Sequence, residues 1–258
     1  MTRISITLFA LAAVLCSLPA SAQRGIALSP DQKAKLHKLA TEMKSEVYPV
    51  RRAMMEKRQA LVGLYGQYNL NEKKARETTK DINSLQRKML ELNHSNQVRL
   101  RKALDKQDFE LFAKAMARGP GGPQRHSGPG GGSDDGIDTF VPGDVDKRGI
   151  DGLKLAPNQV ERVKRQLSPS DAGRAAAFKK LREDTEAIRN LYLKYDLDEK
   201  RARELLNSIN ASQRRMLENS LERQIELRKV LSEEQFNTLM QNVRRGMQHR
   251  RGTGPRNR

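Results

Sequence analysis

The stretch that decides the fold is LYGQYNLNEKKARE, residues 64–77, because it occurs a second time as LYLKYDLDEKRARE, residues 191–204. The offset of 127 residues is kept well beyond these two stretches. Between residues 64 and 113 there are 22 identities in 50 aligned positions, without a gap. Chance does not produce such agreement, so the chain is an internal duplication with a domain-sized period. Repeat one spans residues 28–118 and repeat two spans residues 152–246.

Each repeat reads almost entirely as α-helix. Helix starts are marked by a polar N-cap residue with an acid or an amide a few positions later. Such starts fall at Ser29, Asn69, Ser168, Asp196 and Ser232. Asn69 and Asp196 precede the longest predicted helices, at about 70–103 and 197–230. A second helix is predicted near 50–67 in repeat one and near 172–194 in repeat two.

An apolar seam runs along each of the longest predicted helices. It consists of residues spaced by seven, namely Ala75, Ile82 and Met89 in repeat one and Ala202, Ile209 and Met216 in repeat two. This spacing predicts a helical hairpin with charged outer faces. The tyrosine pairs Tyr65/Tyr68 and Tyr192/Tyr195 fall at the hairpin end, where we expect them to pack. With a short first and a short last helix, each repeat is predicted to have four helices.

Two such repeats predict an all-α protein made of tandem four-helix hairpins. A unit of about 90 residues has a thin core and benefits from a second copy to pack against. We therefore expect an intramolecular pseudo-dimer, with a homo-oligomer through the hairpin faces as the alternative. Residues 119–151 are rich in Gly and Pro and are predicted to be a flexible linker long enough for the repeats to meet.

The first 22 residues have the pattern of a secretory signal. Arg3 precedes an apolar run of about 15 residues, which is too short for a spanning helix, and Ala20 and Ala22 form a cleavage pattern. We predict cleavage near Ala22 and export to the periplasm. The single cysteine, Cys16, would leave with the signal, so disulfides would not stabilise the mature chain.

The formal net charge is +18, and residues 247–258 are predicted to form a disordered basic tail. This charge favours anionic partners in a salt-dependent way. Export, the scarcity of aromatic residues and the lack of a recognised module argue against nucleic acid. We find no constellation for acid–base or covalent chemistry and predict that the protein is not an enzyme.

The helix-start motifs at the repeat ends resemble those of the periplasmic LTxxQ family, which includes the Spy and CpxP stress chaperones and the ZraP and CnrX heavy-metal resistance proteins. The motif reads LSPDQ at residues 28–32 and LSEEQ at residues 231–235. A looser copy is LAPNQ at residues 155–159. In LDKQD, residues 104–108, the terminal Gln is replaced by Asp. The resemblance covers both repeats.

The resemblance implies a hooked four-helix hairpin that pairs antiparallel into a basic cradle, which holds unfolded or acidic client proteins without ATP. Cations would attract acidic surfaces, and methionines would adapt to apolar segments. The residues expected to bind clients are the cations and methionines of the second and third predicted helices: Arg51, Arg52, Met54, Met55, Lys57, Arg58, Arg87, Lys88, Arg214 and Arg215.

Two alternatives stay open. On the metal-binding branch of the resembled family, His37, Glu91 and His94 would be the ligands, and zinc or another divalent transition metal the ion; otherwise no cofactor is required. Repeat two has Lys164 and Leu221 at the positions of the two histidines. The second alternative is a structural envelope protein whose basic tail binds anionic lipid or lipopolysaccharide.

Overall fold

A computed structural model describes residues 29–118, 152–167 and 172–252. The predicted signal, the linker and the helix start at Ser168 lie outside these residues. All regular structure in the described residues is α-helical, as predicted. The helices are α1 (Pro30–Tyr65), α2 (Glu72–Ala103), α3 (Lys106–Arg118), α4 (Pro157–Leu167), α5 (Ala172–Tyr192), α6 (Glu199–Val230) and α7 (Glu233–Gly252).

The prediction of separate first and second helices is wrong for repeat one, where α1 is continuous. Pro49 lies inside α1 and removes one backbone hydrogen bond there. Apolar residues are nevertheless buried on both sides of it, with Met43 and Val50 each 5% exposed. This continuous packing outweighs the lost bond. In repeat two, the corresponding described residues belong to α4 and α5.

The chain forms two compact units, and neither unit is a single repeat. Each unit combines the two ends of one repeat with the hairpin turn of the other. The first unit contains the described parts of residues 1–54, 84–131 and 180–211, and the second those of residues 55–83, 132–179 and 212–258. Segments of both repeats therefore pack together within each unit, as the pseudo-dimer hypothesis requires.

The predicted helix caps at the repeat ends are present. Ser29 and Gln32 form a reciprocal capping box, in which the Gln32 N–H donates to Ser29 Oγ over 3.1 Å and the Ser29 N–H donates to Gln32 Oε1 over 2.8 Å. Ser232 and Gln235 repeat this arrangement. Each capping residue satisfies a backbone N–H that the helix itself leaves without a partner.

The long helices begin two residues later than predicted. Asn71 and Asp198 cap them, each accepting a hydrogen bond from the N–H three residues on, at 3.0 Å and 2.8 Å. Asn69 and Asp196 had been assigned this role, because Glu72 and Glu199 stand three residues after them. The caps actually used lie directly before the acids, where the acids fall in the first turn and complement the helix dipole.

Each repeat begins and ends with a copy of the LTxxQ-like motif, and we call these four copies the end motifs: residues 28–32, 104–108, 155–159 and 231–235. Within each unit, the last residues of its two end motifs contact one another. In the first unit, Gln32 Nε2 donates to Asp108 Oδ2. In the second, Gln159 Nε2 donates to Gln235 Oε1 over 3.2 Å and to the Val230 carbonyl over 2.7 Å. The Asp that replaces Gln at residue 108 therefore keeps this contact, with a carboxylate as the acceptor instead of an amide.

Two equivalent apolar clusters form where the repeat ends meet. In the first unit, α1 and α2 pack on α3 through a cluster that includes Leu36, Leu100 and Phe109. The second unit has Val163, Leu227 and Phe236 at the same positions of repeat two. The tyrosines of the hairpin turns complete these clusters. Tyr195 lies against Phe109, with ring centroids 5.7 Å apart, and Tyr68 lies against Phe236 at 5.8 Å.

One arginine in each unit joins the end of one repeat to the hairpin turn of the other; we call these the arginine contacts. Arg101 donates to the carbonyls of Tyr192, Lys194 and Tyr195 over 2.6 to 3.1 Å, and its guanidinium lies 4.5 Å from the centre of the Phe109 ring. The turn carbonyls follow the end of α5, where the helix offers them no donors.

Arg228 makes the same contacts in the second unit. It donates to the carbonyls of Tyr65, Gln67 and Tyr68 over 2.7 to 3.0 Å and lies 4.4 Å from the centre of the Phe236 ring. Burial lowers the pKa of Arg228 to about 10, so the guanidinium remains charged at neutral pH. A charged donor with several acceptors is among the strongest hydrogen-bonding groups in proteins.

The predicted disorder of the basic tail is wrong for residues 247–252, because α7 continues to Gly252. Met, Gln and Arg are good helix formers, and the first proline after the start of α7 is Pro255. Residues 253–258 lie outside the described part of the chain.

We predict that Arg228→Ala lowers the free energy of unfolding by about 2–4 kcal/mol, because three turn carbonyls lose their donor and a ring loses its cation. Arg101→Ala should have a similar effect. Urea denaturation followed by circular dichroism measures both. Arg162→Ala, at an exposed position, is the control and should change stability by less than about 0.5 kcal/mol. Equal losses in all three variants would contradict the role assigned to the arginine contacts.

Candidate functional site

The cations predicted to bind clients are mostly at the surface. Six of the eight have exposed side chains, namely Arg52, Lys57, Arg87, Lys88, Arg214 and Arg215, and Arg51 and Arg58 are half-buried. All eight lie on long helices: α1 carries Arg51, Arg52, Lys57 and Arg58, α2 carries Arg87 and Lys88, and α6 carries Arg214 and Arg215. The helices fix the backbone of each cation, and the six exposed side chains extend into solvent, where anionic partners can reach them.

Several of these cations are paired with acids. Lys57 Nζ lies 2.6 Å from Asp81, Arg87 Nε lies 2.8 Å from Glu91, and the pair Arg214–Glu218 is at 3.8 Å. Exposed pairs of this kind contribute little to stability and exchange readily with other partners.

Lys88 and Arg215 occupy equivalent positions in the two repeats. Within the described residues, neither has a carboxylate within ion-pair distance. These two side chains are therefore the predicted cations most available to an anionic partner.

Exposed apolar side chains occur on α1 among these cations. Met55 is 44% exposed and Val62 is 39% exposed, seven residues later on the same helix face. Tyr48, a further seven residues before Met55, is also exposed. Met54, which was predicted to bind clients beside Met55, is half-buried. Tyr48 and Val62 were not among the predicted residues, although both lie seven residues from Met55 in the sequence.

Arg58 lies between Met55 and Val62 on α1, one helical turn from each. Its Nε is buried and has no hydrogen-bond partner in the described part of the chain. Burial lowers the pKa of its guanidinium. Burial disfavours the charged form of the guanidinium, so an anionic group that contacts its accessible part stabilises it.

The predicted metal ligands occupy different environments. His37 and Glu91 are exposed, and Glu91 pairs with Arg87. His94 is buried, with 8% of its surface exposed. Throughout residues 29–118, 152–167 and 172–252, no group of three or more His, Cys, Asp or Glu side chains could hold a metal ion. The structure therefore does not bring His37, Glu91 and His94 together in such a group.

His94 instead contacts the turn of repeat two. Its Nδ1 lies 3.2 Å from the Tyr192 hydroxyl, and the two rings are stacked with centroids 6.1 Å apart. Its Nε2 is buried without a partner among the described residues. Burial lowers the pKa of His94; the charge of Arg203 lowers it further, Glu199 opposes this, and Arg101 adds to it. At the equivalent place in the second unit, Leu221 packs in a cluster with Tyr65.

The described helices include none that is long and apolar enough to span a membrane.

Comparison with known proteins gives one family match. A family model described as heavy-metal resistance matches residues 13–110 and, a second time, residues 111–238. Each match includes most of one repeat, in agreement with the duplication. No curated protein and no solved structure matches the chain.

We predict that His94→Leu reduces the loss of stability in acid. The pKa of His94 is lowered in the folded protein, so below pH about 6.5 the unfolded chain binds a proton that the folded chain disfavours, and the free energy of unfolding falls. One such group contributes a slope of at most about 1.4 kcal/mol per pH unit. Urea denaturation between pH 7.5 and 5, with a chelator present, should give a flatter profile for the variant.

The reverse change, Leu221→His, provides the matched comparison, because it places a histidine beside Tyr65 in the second unit. We expect a steeper decline in acid for this variant. Parallel profiles for the wild type and His94→Leu would show that burial of His94 does not contribute to the pH dependence.

Proposed function

Because the chain belongs to the heavy-metal resistance family, with two copies of the family domain in tandem, we propose that it is an exported chaperone of the Spy and CpxP type. In this role it binds unfolded or acidic proteins of the periplasm without ATP and without chemistry of its own. The clients bind to the helical surface, and the duplicated chain supplies in one molecule what two single-repeat chains would supply together.

One observation carries this proposal: exposed apolar side chains lie among cations on α1. Met55 and Val62 present apolar surface to solvent with Arg58 between them. A surface that places apolar groups, including a flexible methionine, beside charged groups suits partners of varied sequence. Unfolded proteins are partners of this kind, because they expose apolar segments that folded proteins bury.

The net charge of the chain supports the same function. A formal charge of +18 attracts acidic chains over distances of about a Debye length, roughly 8 Å at physiological salt. Such attraction raises the rate of encounter, and the apolar contacts then slow dissociation. The binding is therefore expected to weaken, but not to disappear, as salt increases.

A metal-binding sensor or resistance protein is the second candidate, and the description of the matching family model favours it. Zinc or another divalent transition metal would then bind at His94 or His37, with ligands beyond those brought together in the described residues. In that case metal, rather than salt, would control the activity.

The first test is suppression of client aggregation by the mature protein. Reduced α-lactalbumin, which is acidic, serves as the client, and light scattering is measured in low and high salt, with chelator and with added zinc. We expect suppression near one protein per client that is unchanged by chelator and weaker in high salt. Suppression only with zinc would favour the metal-binding candidate. Inactivity in all four conditions, together with binding to anionic vesicles, would favour the envelope alternative.

The second test removes the two available cations. Lys88→Ala combined with Arg215→Ala should raise the concentration needed for half-maximal suppression by about two- to tenfold in low salt, as expected for two exposed ionic contacts. Lys35→Ala combined with Arg162→Ala is the matched control, since these exposed cations also occupy equivalent positions and carry the same charge. Equal effects of the two pairs would mean that net charge alone, and not the predicted positions, determines client binding.

A further inference from the structure

The exposed face of α1 differs in chemistry from the equivalent face of α5 in repeat two. At the offset of 127 residues, Met55 corresponds to Arg182 and Val62 to Arg189. All four side chains are exposed. Repeat one therefore presents apolar groups where repeat two presents cations.

The buried faces of the same helices do not differ in this way. Leu61 corresponds to Ile188 and Tyr65 to Tyr192, and all four are buried. Packing thus holds the inner positions to one kind of residue in both repeats. The outer positions are free of that packing constraint, and at these positions the two repeats present different chemistry to solvent.

Arg58 shows the same contrast. Its equivalent in repeat two is Thr185, whose hydroxyl donates to the Leu181 carbonyl over 2.6 Å and is satisfied within its own helix. Arg58 has a buried Nε without a partner in the described residues. Repeat one therefore combines two exposed apolar groups with a partly desolvated cation. Repeat two has two exposed cations at the outer positions, with exposed Glu186 between them and exposed Leu193 one helical turn after the second cation.

We propose that the two repeats divide the work of client binding. The apolar face of α1, defined by Met55, Arg58 and Val62, binds an extended segment of an unfolded protein in which apolar side chains flank a carboxylate. The basic face of α5, defined by Arg182 and Arg189, binds acidic segments without apolar groups. This inference rests on the proposed chaperone function and assigns a different kind of client segment to each repeat.

Charge decides which occupant suits the apolar face. A second copy of this chain would bring the same net charge of +18 against Arg58, and like charges repel. A client segment with a carboxylate offers an acceptor to the guanidinium and apolar side chains to Met55 and Val62. An acidic and apolar segment is thus the complementary occupant.

The two faces should respond differently to salt. Contacts between an acidic segment and Arg182 or Arg189 are screened as the ionic strength rises. Apolar contacts at Met55 and Val62 persist in high salt. Salt can therefore separate the two modes of binding in one set of measurements.

The experiment exchanges the outer residues between the repeats. One variant, Met55→Arg with Val62→Arg, gives repeat one the residues of repeat two; the other, Arg182→Met with Arg189→Val, does the reverse. Fluorescence anisotropy measures binding of three labelled, unstructured peptides of equal length. The first contains Leu and Asp, the second Leu and Ser, and the third Asp and Ser.

In high salt, the first variant should bind the Leu–Asp peptide about tenfold more weakly than the wild type, since two apolar contacts are lost. In low salt, it should bind the Asp–Ser peptide at least as well as the wild type. The second variant should bind the Asp–Ser peptide more weakly in low salt. Arg58→Thr should reduce the affinity for the Leu–Asp peptide to that for the Leu–Ser peptide.

Urea denaturation of each variant separates loss of binding from loss of folding, and all the substituted residues except Arg58 are exposed. If the wild type binds the peptides and the exchanges leave every affinity unchanged, or change all three equally, the division between repeats is wrong while the chaperone function stands. If the wild type neither binds any peptide nor suppresses aggregation, the proposed function itself is wrong, and the division of binding with it.

Discussion

The arginine contacts are the interactions on which the rest of the structure depends. A helix that ends in a turn leaves backbone carbonyls without donors, and in each unit one guanidinium from the other repeat supplies them. The same guanidinium covers a phenylalanine at the centre of an apolar cluster. Each arginine thereby does three things: it satisfies the carbonyls at the end of a helix, it packs on an apolar cluster, and it joins one repeat to the other. The end motifs, the tyrosines and the seams are arranged around it.

Much of the architecture could be predicted because it rests on local patterns. Residues such as Ala75 and Ile82 recur with the period of a helix seam and are fully buried. The Ser–Gln capping boxes are short-range hydrogen bonds that the spacing of the two residues dictates. Features that depend on contacts between distant residues were not accessible in this way. The continuity of α1 across Pro49 depends on the residues that pack against it. The local sequence pattern also predicted the caps of the long helices two residues before the caps that the structure shows.

The arginine contacts illustrate the limit of such reasoning. Arg101 and Arg228 are visible in the sequence only as matching residues in a duplicated stretch, among many other matching cations. Nothing in their immediate neighbours indicates that they bind carbonyls about 90 and 160 residues away. The same holds for Asp108. In the sequence alone, Asp108 departs from the Gln that ends the LTxxQ motif. In the structure, its carboxylate accepts a hydrogen bond from Gln32 and so keeps the contact between the motifs. At the candidate site, the cations could be selected from the sequence because of their residue type. Only the structure shows that Val62 is exposed and that Arg58 Nε is buried.

The pairing of the repeats within one chain has a consequence for behaviour on dilution. Two separate hairpins would associate with a constant that depends on their concentration, and below it their inner faces would be open to water. Covalent connection replaces that concentration with an effective one in the millimolar range, which dilution does not alter. Duplication also lets the two hairpins change independently, as His94 and Leu221 already do on opposite sides of the pairing. Each hairpin thus keeps its partner at any concentration of the protein.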